Sequence, residues 1–186
     1  MMMSLAELSL WIGGIYVAIH LPLVIAPQMS RKLFKVFPRN FWLGAVLAAV
    51  ALVWSALEVN AMPLGNFIGD YKWLLWILTP VVLGLVLVFM NELLAPRALG
   101  GLLLLVANPV LSIQCLSASR ATWLIAGLAY VWVVAGTLLV LSPYRFRHAI
   151  EKYCATDSRC RLAGSLGVVV GCILIGLGFT VFAHQI

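Results

Sequence analysis

Apolar residues in this chain come in runs of about twenty, set apart by short polar breaks. Six runs can be marked, at 8–26, 41–59, 73–90, 98–116, 121–141 and 162–183. At ~1.5 Å of rise per residue, each can cross a hydrocarbon layer of ~30 Å as a helix. A chain crossing lipid must satisfy its own backbone polar groups, so helices or a closed barrel are the only options. Runs this long predict helices. The expected fold is therefore all-α: one transmembrane domain over 1–186, with six spans arranged as three hairpins.

The polar breaks give the orientation. Short loops rich in Lys and Arg stay on the cytoplasmic side. With both termini outside, the breaks at 27–40, 91–97 and 142–161 are cytoplasmic and carry Arg31, Lys32, Lys35, Arg39, Arg97, Arg145, Arg147, Lys152, Arg159 and Arg161, ten of the twelve basic residues. Only Lys72 and Arg120 fall outside. Each cytoplasmic turn also has a proline beside an arginine: Pro27 and Pro38-Arg39, Pro96-Arg97, and Pro143 with Arg145. The first and third connectors share a basic, aromatic-bearing pattern, consistent with a duplicated hairpin. The first mixes basic and apolar groups as an in-plane segment on anionic lipid would.

Composition narrows the class. The chain is 64% hydrophobic, with a mean hydropathy of +1.09. That leaves too little polar surface for a water-soluble globule. The formal charge of +6 is explained by topology, and no nucleic-acid partner is expected. The first ten residues carry Glu7 and no basic residue, unlike a cleavable signal peptide, so they are expected to be retained. The four cysteines are expected to be reduced thiols.

Two stripes of small residues predict close helix packing. Gly44, Ala48, Ala51 and Ser55 recur on the second span, and Gly164, Gly167, Gly171 and Gly178 on the sixth. Such stripes let backbones approach where lipid removes the hydrophobic incentive to associate. Packing within the bundle is the first expectation for both, and a homo-oligomer seam along the sixth span is the sharper alternative.

Candidate chemistry is sparse. Counting rise per residue, Thr79-Pro80 lies roughly 10 Å and Asn108-Pro109 roughly 15 Å below the outer surface. Tyr16, Ser55, Gln114 and Tyr130 share that outer half. These six residues are candidate solute-facing groups, with interhelical hydrogen bonding as the plainer role. No charged residue lies near the bilayer centre, which argues against ion coupling. Glu58, Asp70 and Lys72 sit at the outer edge, and Glu92 with Arg97 is expected to pair across the central turn. His20 and His184 fall at opposite depths and His148 in a connector, which disfavours bis-histidine haem. The run His148, Glu151, Cys154, Asp157, Cys160 has ligand types, but a spacing of three spreads them around a helix axis. No cofactor or metal is expected. H-E-x-x-H, G-x-S-x-G and phosphate-loop motifs are missing, so the chain reads as a non-enzyme.

The segments VFPRNFW (36–42), MPLG (62–65), DYKWLLW (70–76), NELLAPRALGG (91–101) and LAYVWVVAGTLLVLSPYRFR (128–147) resemble those of small polytopic inner-membrane proteins of bacteria. The stretch from Pro143 onward is also similar to short two-helix bacterial membrane proteins. The resemblance implies a bacterial inner membrane and carries no activity. The expected role is non-catalytic packing or assembly in the lipid bilayer, with itself or another membrane protein. The alternatives are a channel or carrier for a small neutral or lipid-like solute, and a redox or lipid-modifying enzyme subunit.

Overall fold

Many of the side chains buried in this protein are small, and most of its large apolar ones are exposed. A computed structural model describes residues 5–62, 72–90, 93–115, 122–153 and 156–180. All regular structure among them is helical: α1 (Leu5–Ile25), α2 (Pro27–Val36), a 3-10 turn (Phe37–Arg39), α3 (Phe41–Ala61), α4 (Trp73–Phe89), α5 (Leu94–Cys115), α6 (Thr122–Leu141), α7 (Pro143–Tyr153) and α8 (Asp157–Thr180). The buried residues of α3 are Gly44, Ala48 and Ala56, and most of those of α8 are glycines. Meanwhile Trp42 and Trp123 are 78% and 77% exposed. A helix that is apolar on every face belongs in a protein core or in lipid, and these outer faces are uncovered.

Five helices, α1, α3, α5, α6 and α8, are long and apolar enough to cross a bilayer, the architecture of a multi-pass membrane protein. The sixth expected span, α4, is apolar but has 17 residues. Helix edges follow the hydropathy breaks except at two N-termini. α5 begins at Leu94 rather than 98 and α8 at Asp157 rather than 162. At α5 the reason is Pro96, which lies in the first turn, where backbone N–H groups have no intrahelical acceptor and proline is tolerated. Pro27 and Pro143 likewise open α2 and α7 as first helical residues. Prolines that mark the polar breaks therefore start the helices that follow.

Two of the three connectors are themselves amphipathic helices. α2 and α7, of 10 and 11 residues, are each about 15 Å long, enough to hold the helices they join apart. The expected hairpin partners are accordingly not the closely packed pairs. Instead α1 lies along α8, α5 along α6, and α3 against α5 and, less extensively, α4. The chain closes on itself through its first and last described helices.

The seams explain this pairing. A methyl at Gly164 would meet Leu23, at Gly167 the His20 ring, at Gly171 Val17 and the Gly13 carbonyl, and at Gly178 Ser9. As position rises along α8 it falls along α1, so the pair is antiparallel and backbones nearly touch. Gly100 and Gly136 do the same between α5 and α6, each beside the other's carbonyl oxygen. Around these seams Ile12, Val110, Ile125, Ala129, Trp132 and Leu174 form one apolar cluster drawn from α1, α5, α6 and α8. A second cluster, Ala48, Leu94 and Ala98, joins α3 to α5. A third, Leu23, Ile150 and Cys160 with Phe34 and Phe146, ties both connectors to α1 and α8.

Candidate functional site

The six polar residues expected in one outer pocket are dispersed. Tyr16 is half-buried on α1; its hydroxyl accepts from Trp132 Nε1 of α6 at 3.0 Å, an interhelical bond. Thr79 donates to Leu75 O of its own helix at 2.7 Å. Ser55 is half-buried on α3 and Asn108 is exposed on α5. Tyr130 is 62% exposed, and the side chain of Gln114 is outside the described set. None of the six lines a principal cleft of the described residues.

His20 is held by packing. Its Nδ1 is 2.8 Å from Tyr16 O, a carbonyl that only accepts, so this nitrogen carries the proton. The ring stacks on Tyr16 at 5.1 Å and lies over Gly167. His148 is 3.6 Å from Glu151 on the same helix. His184, Asp70, Glu92 and Cys154 lie outside the described residues. At the far end of α3, Trp54 donates to Glu58 at 3.0 Å, and Lys72 Nζ donates to the Asn60 and Met62 carbonyls at 2.6 and 2.8 Å. Lys72 thus supplies donors to the last carbonyls of α3, where a cation is favoured.

Positive groups converge at the connector end. Asn40 is extended and caps α3, its Oδ1 accepting from Leu43 N at 3.1 Å. One turn on, Gly44 has no side chain, and a Cβ there would come within 2.8 Å of Ala95 N. That absence brings the start of α3 against the start of α5. Just before α5, Leu93 adopts φ +56°, a left-handed conformation that is rare for a bulky residue and marks local strain.

Between these two helix starts and α7 lies a cleft of about 340 Å³ lined by Pro38, Arg39, Asn40, Phe41, Leu93, Leu94 and Arg147. It shares Pro38, Arg39 and Arg147 with a second cleft of about 270 Å³, which adds Phe34, Lys35, Ile150 and Glu151. Glu151 takes Arg147 Nε at 3.4 Å, an exposed pair of little worth. Among the described residues Arg39 has neither hydrogen bond nor ion pair. Nearby on the first turn of α5, Arg97 Nε is buried without an acceptor among the described residues. Elsewhere at this end Arg31 of α2 pairs with Asp157 in the first turn of α8. Arg145 donates to the Tyr144 hydroxyl at 3.4 Å, and that bond, then the cation's charge, lowers the phenol from its ordinary pKa.

Sequence reasoning assigned Arg39 and Arg147 to orientation alone and passed over Asn40, Leu93, Gly13, Gly100 and Gly136. The likeness of the two connectors matches Arg39 with Arg161 rather than with Arg147, so no sequence signal singled out Arg147. Comparison with protein families, characterised proteins and solved structures finds no match for this chain.

Proposed function

We propose that the chain is a six-span protein of a bacterial inner membrane, a single transmembrane unit that acts by association with a second copy of itself rather than by catalysis or conduction. The observation that carries this is α4. Its 17 residues include none that is buried, and α3 is its one extensive neighbour among the described helices. Trp73, Trp76, Ile77, Val81, Leu85 and Val88 are all exposed. At about 26 Å it is at the short end of what spans a bilayer, and a helix shorter than the layer gains by oligomerising. The α8 stripe, by contrast, is already filled by α1.

The charge asymmetry supports both termini outside and α2, α7 and the 91–97 turn in the cytoplasm. Lys72, one of the two basic residues left outside, is engaged by the carbonyls at the end of α3. Trp42, Trp73 and Trp123, exposed in the first turns of α3, α4 and α6, fit the aromatic belts of the two interfaces. A solute conduit has less support, because its candidate residues share none of the principal clefts.

Single cysteines placed along α4 test the reading. In native membranes, oxidative crosslinking to dimer is expected at positions recurring every three to four residues, as on one helix face. Monomer at every position would refute association through α4.

A further inference from the structure

We propose that the 340 Å³ cleft between α3, α5 and α7 binds a phosphoryl group through Arg39 and Arg147. Arg39 and Arg147 line it from different elements, the 3-10 turn and α7, and no carboxylate is among its described lining residues. Among the described residues Arg39 meets no acceptor, and Glu151 meets Arg147 at Nε. Asn40 uses its carbonyl oxygen to cap α3, which leaves its amide N–H groups for a ligand. The positive ends of α3 and α5 flank the same space, so the field there favours an anion. Planar forks from two sides match phosphate oxygens better than they match a chloride or a single carboxylate. Phe41, Leu93 and Leu94 supply the apolar wall that a glycerol or acyl portion would lie against. The phosphoryl group can come from an anionic phospholipid or from a soluble phosphate, and the site stands whether or not α4 associates.

The experiment uses the full chain in nanodiscs. One arm compares phosphatidylcholine alone with added phosphatidylglycerol, counting retained lipids by native mass spectrometry. The other adds inorganic phosphate to phosphatidylcholine discs and follows binding calorimetrically. Arg39→Gln with Arg147→Gln is expected to weaken binding at least about tenfold and each alone to weaken it in part, while Arg161→Gln, which removes one such charge outside these clefts, leaves it unchanged. In the unmutated chain, the probe that binds should also shield Arg39 and Arg147, but not Arg161, from phenylglyoxal. This keeps the test valid if the double variant folds poorly. A response in the first arm alone assigns the site to lipid; a response in the second assigns it to free phosphate. Equal loss with Arg161→Gln, no selective shielding, or no binding in either arm would overturn the proposal.

Discussion

Gly167 shows how single residues decide this fold. A methyl there would overlap the His20 ring, whereas Gly176, on the same helix, faces open space. Gly167→Ala is expected to destabilise by about 1–3 kcal/mol through overpacking, with Gly176→Ala close to neutral; unfolding in mixed micelles reads both. Trp132→Phe removes the bond to Tyr16, and in a membrane interior such interhelical bonds average about 0.6 kcal/mol. Its effect should be measurable but smaller than that of Gly167→Ala. The α8 glycines were legible because their spacing keeps one face. Gly13, Gly100 and Gly136 were not, since each is a lone point of contact whose meaning depends on the helix opposite. The Tyr16–Trp132 bond was hidden for the same reason: hydropathy places residues in depth but does not say which helices meet.

Among the elements, the apolar runs marked the helices well, because lipid permits little else at that length and composition. The pairing was not legible. The breaks read as the turns of three hairpins, the first with an in-plane segment, whereas α2 and α7 are helices held down by Leu23, Ile150 and Cys160, with Phe34 and Phe146 against them. Ile150→Ala should cost about 2 kcal/mol or more as a core truncation and loosen α7 before the bundle itself opens. Limited trypsin digestion of inverted membrane vesicles is expected to cut faster at Arg145 and Arg147 in that variant, with the same fragments as in the unmutated chain. By comparison, Asp157→Asn, which breaks a partly exposed ion pair to Arg31, should change stability by less than about 1 kcal/mol.

For the whole molecule, the same basic residues have two consequences. In the proposed orientation their uneven distribution sets which end of the bundle faces the cytoplasm, and the fold gathers Arg39, Arg97 and Arg147 around the starts of α3 and α5. The sequence carried the first consequence in its loop charges. The second required the three-dimensional meeting of two connectors more than a hundred residues apart. Both the phosphoryl site and the aromatic belts presuppose that α2 and α7 face the cytoplasm, so orientation is the claim to test first. In a chain whose four native cysteines are replaced by alanine, Lys152→Cys on α7 and Met62→Cys at the end of α3 can be probed with a membrane-impermeant thiol reagent on intact cells. Met62→Cys should label at once and Lys152→Cys only after permeabilisation. Labelling of Lys152→Cys in intact cells would invert the molecule and contradict the account.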